Sequence, residues 1–240
     1  TPYSPHFAEG QISLQVLGKQ AEKLERAAER AEESFAAATG SNGLKAEWRT
    51  VEGDLSDVLS VQARYHDLAV VGQGNPGDNV FFGGREMPDR LILTSGRTVL
   101  VIPYVGDYET IGRNVMIAWD AGPPATRAVH DALPLLKAAK KVSVMVINPK
   151  IGTYRQIKGT GDLPGADMAT HLAHHGVNAE VDHVTSDLNP GDMLLSQVAN
   201  KNIDLMVMGA YGHWRWRELI LGGVTDHMLS HMTVPMLMSH

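Results

Sequence analysis

The 240-residue sequence contains no cysteine. That excludes disulfides, thiolate zinc sites and cysteine nucleophiles, and it agrees with a reducing cytoplasm. No apolar run approaches the ~20 residues needed to cross a bilayer, so no membrane partner is expected. An excess of positive charge is missing too: 21 Lys and Arg stand against 27 Asp and Glu, a net charge of −6. General nucleic-acid binding depends on a basic footprint that displaces counterions, so no nucleic-acid partner is expected either. The first residues, "TPYSPHFAEG", have no basic region followed by an apolar core and do not read as a signal peptide. They also lack an initiator Met, which points to a start inside a longer gene product. Three catalytic patterns are absent: the G-x-S-x-G elbow, the G-x-x-x-x-G-K-[ST] loop and H-E-x-x-H. Catalysis therefore has little support.

What is present is the composition of a globular protein, 43% hydrophobic and 20% charged, and an internal repeat. "HDLAVVGQGN" (66–75) and "IDLMVMGAYG" (203–212) share an Asp, a strand-like run and a Gly in register. Asp67 and Asp204 are 137 positions apart, as are Gly72 and Gly209. Downstream, "LTSGRTVLVIP" (93–103) matches "LSHMTVPMLMS" (229–239), and an amphipathic segment precedes each Asp. A period this long indicates two copies of a domain rather than a solenoid. The copies are read as residues 1–107 and 113–240.

The second copy is complete. It runs from the buried strand "NVMIAWD" (114–120) to a proline-opened helix at 123–141 and the strand 142–149. A Gly-rich loop, a helix ending on Gly176 and the strand "NAEVDHVT" follow. A helix from Gly191, the strand 204–208, a helix from about 216 to 231 and the strand "VPMLMS" complete it. Strands alternating with helices predict a parallel sheet covered on both faces. The expected topology is doubly wound, with ligands beyond the C-terminal strand ends at a switch point. The first copy shows a long amphipathic helix at 13–39, with Leu17, Leu24 and Phe35 on its apolar stripe, and a strand around Trp48. Nothing in it resembles "NVMIAWD", so its opening strand and helix are missing. An edge left unpaired in this way invites pairing with another chain.

The stretch "GAYGHWRWRELILGGVT" (209–225) reads as strand, glycine-bearing loop and helix. Gly209 and Gly212 permit left-handed turns or the close approach of a ligand. Gly222 and Gly223 precede Val224 and Thr225 at a helix start, where backbone N–H groups and the dipole favour an anion. His213, Arg215 and Arg217 lie within one loop's reach. Spacing alone leaves two readings open, a phosphate cradle and a turn that lets helix pack on strand.

Gly209, Gly212, the nine residues "HWRWRELIL" and then Gly222 form a pattern that resembles the nucleotide-binding signature of the universal stress protein family. "DLMVMGAYG", "TVPMLMSH" and "AWDAG" are similar to other parts of that family. The resemblance implies an α/β fold of two similar doubly wound parallel-sheet domains (adenine nucleotide alpha hydrolase-like), the first incomplete. It also implies tandem pseudo-dimer packing or homodimers, and binding of ATP, a partner that Mg²⁺ can accompany. By the same resemblance Asp120 meets the ribose or base and Val146 lines the adenine pocket. Gly209, Gly212 and His213 approach the phosphates, and Gly222, Gly223, Val224 and Thr225 hold them from the helix start. One departure stands out: Gly223 occupies a position where ATP-binding members carry a hydroxyl. The lost hydrogen bond, about 1.5–3 kcal/mol to a charged group, corresponds to roughly ten- to a hundredfold in affinity.

The equivalent loop of the first copy, "GQGNPGDNVFFGGREMPDR", keeps several glycines but sets Glu86 and Asp89 near the phosphate position, partly offset by Arg85 and Arg90. No nucleotide is expected there. The histidine sets His171, His174, His175 and His227, His231 have helical spacing that suits a metal, yet no third ligand is evident and no metal is expected. The Met-rich end reads as adaptable core filling, and Trp214 and Trp216 as contacts to the sister domain. Three functions compete: a stress-response protein that binds adenine nucleotide and acts through association, a pseudo-dimeric interaction module without nucleotide, and a slow ATP hydrolase.

Overall fold

Local sequence chemistry sets most element boundaries. The computed structural model of the chain describes residues 14–40, 43–74, 86–148, 165–211 and 223–240. They fall into two units, residues 1–52 and 53–240, each described by itself.

In the first unit, helix α1 (Leu14–Gly40) spans 27 residues rich in Ala, Glu, Leu and Arg, all strong helix formers. Near its end the Ser34 and Thr39 hydroxyls donate back to the carbonyls of Arg30 and Phe35, at 2.8 and 2.7 Å. The strand expected around Trp48 is not formed: residues 43–52 carry no strand. An extended segment needs partners for its backbone groups, and the described part of this unit has no second strand to offer. Trp48 instead packs its ring 5.5 Å from that of Phe35.

The second unit contains α2 (Leu55–Ala63), β1 (Ala69–Gly72), α3 (Glu86–Thr94), β2 (Val99–Ile102), β3 (Asn114–Ala118), α4 (Pro123–Ala138) and β4 (Lys141–Ile147). It continues with α5 (Ala166–His174), β5 (Ala179–Val184), α6 (Pro190–Asn200), β6 (Leu205–Gly209), α7 (Gly223–His231) and β7 (Met236–Ser239). Helix starts follow capping chemistry. Asp54 accepts from the N–H groups of Ser56 and Asp57, both at 3.1 Å, and Asn189 accepts from Gly191 N–H at 2.8 Å. Proline opens both α4 and α6, where its missing N–H costs nothing. Gly176 takes the left-handed turn (φ +81°) that ends α5. The helix expected from about 216 is described only from Gly223 onward.

The seven strands form one sheet in the order β1-β2-β7-β6-β3-β4-β5. All neighbours run parallel except β2 and β7, which are antiparallel. The last strands of the two halves therefore face each other as expected, Val99 opposite Met238, Leu100 opposite Leu237 and Val101 opposite Met236.

The two halves share one register. Ala69 pairs with Val99 in β1–β2 as Met206 pairs with Met236 in β6–β7, a shift of 137 at both strands. The sequence match of 93–103 to 229–239 is thus one residue out. Side chains alternate across a sheet, so a one-residue slip exchanges the faces. Val99 and Val101 share a core with Met236 and Met238, while Leu100 shares the opposite one with Leu237.

Two cores result. One face carries Met116, Met145, Met206, Met208, Met236 and Met238 under Leu194 and Val198 of α6 and Met228 and Leu229 of α7. The other carries Val115, Ile117, Val144, Leu205 and Val207 under Ala128, Val129 and Leu136 of α4 and Leu172 of α5. The methionines at the C-terminal end are buried core residues, as flexible side chains suited to irregular gaps.

Candidate functional site

The strand order reverses between β3 and β6. From β3 the chain moves outward through β4 to β5, and from β6 it moves the other way to β7. The crevice beyond the C-terminal ends of these two central strands is the switch point at which open α/β sheets bind ligands.

Three loops leave this edge through strained backbone. Ala121 after β3, Asn148 after β4 and Tyr211 after β6 all lie in the left-handed region, with φ of 59°, 48° and 57°. For residues with a side chain such φ values are uncommon, and they persist where surrounding contacts over-determine them. Asn148 shows how. Its Oδ1 accepts from Ser186 N–H at 2.9 Å and its Nδ2 donates to Ser186 O at 3.0 Å, clamping the loops after β4 and β5 together.

Asp120 follows β3 and is exposed. Its Oδ1 accepts the Gly122 N–H at 2.8 Å, which orients the carboxylate at the entrance to α4. Gly122 itself has no room for a side chain without crowding that carboxylate, whose Oδ1 would be 3.0 Å from a Cβ. The start of α4 offers little to an anion. Pro123 and Pro124 have no N–H, and the backbone of Ala125 is pressed against Gly209.

That last contact explains one of the expected glycines. A Cβ on Gly209 would collide with Ala125 N and lie 2.8 Å from the carbonyl carbon of Pro124. The close approach Gly209 permits is therefore helix-to-strand packing, the second of the two readings its spacing left open. Val146 is buried at 6% exposure and sits under Gly165, whose Cβ would come 3.1 Å from its Cγ2.

Helix α7 is the other helix that begins at this edge. Gly223 is exposed, Val224 half-buried and Thr225 buried. The Thr225 Oγ1 accepts the Tyr211 N–H at 3.2 Å, which ties the first turn of α7 to the end of β6. Around Gly223 there is open space for a Cβ. Gly212, His213 and Gly222, together with Arg215, Arg217, Trp214 and Trp216, lie outside the described residues.

Several site-edge contacts had no signal in the sequence. The Tyr211 hydroxyl donates to the Asp89 carboxylate of α3. Burial, then the hydrogen bond to Asp89 and the charges of Asp89 and Asp226, push the phenol well above the usual tyrosine range. Gln73, directly after β1, donates through Nε2 to Leu229 O of α7 at 2.7 Å and accepts from Tyr104 N–H at 3.2 Å. The nearby acidic groups are not balanced by Arg90, which lies 3.8 and 3.5 Å from the carboxylates of Asp54 and Asp57. The positional analogy between the two loops was the only available hint that Asp89 and Tyr211 share a neighbourhood.

Among the described residues no group of three or more His, Asp or Glu is arranged to hold a metal. The histidine pairs interact with each other: the His227 and His231 rings stack at 4.4 Å, and those of His171 and His175 meet edge-on at 4.7 Å. An open cavity of about 460 Å³ lies at the other end of the strands, lined by residues including Asp107, Glu109, Ile203, Asp204 and Val234. Its acidic lining does not suit a phosphate.

The family model for the universal stress protein family matches residues 112–240. Among solved structures, a universal stress protein from Archaeoglobus fulgidus DSM 4304 superposes with a TM-score of 0.67 at 16% identity, covering 96% of this chain and 83% of its own. A protein from Pseudomonas aeruginosa UCBPP-PA14 assigned to the universal stress proteins gives 0.57 at 14% identity, over 87% of this chain and 77% of its own. At these identities the likeness concerns the fold. No curated protein sequence matches the chain.

Proposed function

The chain belongs to the universal stress protein family, and from that premise we propose that its second half, residues 113–240, binds an adenine nucleotide, ATP, at the C-terminal edge of β3 and β6. The protein acts in this reading through binding and association rather than catalysis. The first half, residues 1–107, is an incomplete second copy that packs as a pseudo-dimer partner. Mg²⁺ accompanies the phosphates, and the absence of cysteine supports a cytoplasmic setting.

The observation that carries this reading is the start of α7. Gly223, Val224 and Thr225 bring consecutive backbone N–H groups to a helix N-terminus, which favours an anion. The Thr225–Tyr211 hydrogen bond holds that turn at the end of β6, and β6 is the neighbour of β3, the strand that leads to Asp120. In this arrangement the N–H groups of α7 hold the phosphates, and Asp120 receives the ribose hydroxyls. Gly212, His213 and Gly222 complete the phosphate loop by family analogy, and Val146 backs the adenine.

The second reading, an interaction module without nucleotide, is favoured by a specific contact. The Cβ-free face of Gly209 is already filled by the backbone of α4, and Gly223 brings no hydroxyl. The deciding experiment is a thermal melt of the full chain with millimolar ATP and Mg²⁺, paired with mass spectrometry of nucleotide that co-purifies. Preferential binding to the native state raises the melting temperature, and Gly212→Val should remove the rise. No rise and no co-purified nucleotide would establish the second reading.

A further inference from the structure

Both halves of the sheet build the same strand edge, and only one of the two is covered. In the second half β6 meets β3 along Leu205 to Met208, with Val115 opposite Leu205 and Ala118 opposite Met208. The shift of 137 maps these positions onto Leu68, Ala69, Val70 and Val71. Strand β1 pairs with β2 on one side, and among the described residues no strand lies on the other. The effect on burial is large. Val207 is 0% exposed and its counterpart Val70 59%; Leu205 is 0% exposed and Leu68 37%.

A carboxylate marks the same junction. Asp204 accepts two backbone N–H groups from the start of β3, Arg113 through Oδ2 at 3.0 Å and Asn114 through Oδ1 at 2.8 Å. Asp67 occupies the equivalent place before β1. It is exposed and makes no hydrogen bond or ion pair with any described residue. The half-site thus keeps the acceptor as well as the apolar edge.

The other end of the sheet is different. Strand β5 also has one neighbour, but it carries Glu180, Asp182 and His183, with Lys141 on Glu180 at 3.1 Å and Lys201 on Asp182 at 2.9 Å. Charges of this kind blunt an edge against further pairing. The "AVVG" of β1 has none.

We propose that the free edge of β1 binds an extended segment of a partner polypeptide, parallel to β1, whose first two backbone N–H groups rest on the Asp67 carboxylate and whose aliphatic side chain covers Val70. The parallel sense follows from Asp67, which stands at the start of β1 and can meet only the start of a parallel strand. A second copy of this chain fits less well. Two β1 edges related by a two-fold axis run antiparallel and bring the end of one strand to the Asp67 of the other. Main-chain pairing supplies the attraction and the Val70 face the selectivity, as in other cases of strand addition to a sheet edge.

The test uses a fluorescent peptide with the sequence of residues 113–120, RNVMIAWD, titrated into the full chain and read by anisotropy, with amide hydrogen exchange in parallel. Saturable binding is expected, with new protection at residues 68–71. Asp67→Ala should weaken binding about tenfold or more, the loss expected for hydrogen bonds to a charged group, and Val70→Lys should abolish it. Both side chains are exposed, and unchanged melting curves confirm that both variants fold. Equal binding to wild type and variants would overturn the proposal, as would equal binding of the same peptide in reversed order. Protection at β6 instead of β1 would mean that the peptide replaces β3, and would overturn it as well. So would a concentration-dependent dimer abolished by Val70→Lys, because that edge would then be an antiparallel self-contact.

Discussion

Tyr211 and Asp89 stand 122 residues apart in the chain, yet the Tyr211 hydroxyl donates to the Asp89 carboxylate. This bond links the loop that leaves β6 to α3, an element of the other half. It also helps explain how Tyr211 is held at φ +57°: its N–H is fixed on Thr225 and its hydroxyl on Asp89. The mouth of the candidate site is in this way coupled to the sister half.

Tyr211→Phe should therefore lower stability by about 1–2 kcal/mol, the range for a lost hydrogen bond to a charged group that is not fully buried. Urea unfolding of the single variants and of the double variant with Asp89→Ala would measure the pairwise part. Additive losses would show that the bond contributes nothing.

The same phenol sets a pH dependence. Its pKa is raised in the folded state above the ordinary value of about 10, through burial first and Asp89 second. The folded protein keeps this proton where the unfolded chain releases it, so the stabilisation is complete below about pH 10 and falls as pH rises beyond it. Subtracting the stability profile of Tyr211→Phe from that of wild type should isolate a negative slope above pH 10. A flat difference would contradict it.

Asp204 and Asp67 are repeat-related, and the same substitution should act differently at each. Asp204→Ala removes the acceptor of two N–H groups at the start of β3 and should cost about 2–3 kcal/mol. Asp67→Ala should stay within about 0.5 kcal/mol, as for an isolated surface position. Denaturant midpoints measured side by side decide this.

The glycines of the candidate loop divide in the same way. Gly209→Ala drives a Cβ into the backbone of α4 and should destabilise by about 1–3 kcal/mol, as overpacking does. Gly223→Ser meets open space and should leave the melting temperature of the free protein almost unchanged. If the loop holds ATP, the added hydroxyl should tighten it by about tenfold, one hydrogen bond to a charged group. Isothermal titration of both proteins reads the difference.

The repeat, the alternation of strands and helices, the parallel sheet and the pairing of the two final strands were all legible in the residues. They rest on local rules: period-2 and period-3.6 patterns, proline at helix starts, glycine at helix ends. The strand around Trp48 failed because a strand is not a local object. Its backbone groups need a partner, and residues 43–52 lie in a unit without one among the described residues. The register of β2 on β7 failed by one residue for a similar reason. Composition tolerates a slip, and only the two buried faces forbid it.

For the candidate site the division is sharper. The sequence alone determined which residues gather at the C-terminal edge, since Asp120, Gly209 and Thr225 each follow or flank a recognisable strand or helix. It could not determine what each does there. Whether Gly209 makes way for a phosphate or for Ala125, and whether Asp89 repels a ligand or receives Tyr211, depends on groups far away in the chain. Those are packing and hydrogen-bond relations between elements, and they exist only once the sheet has brought the elements together.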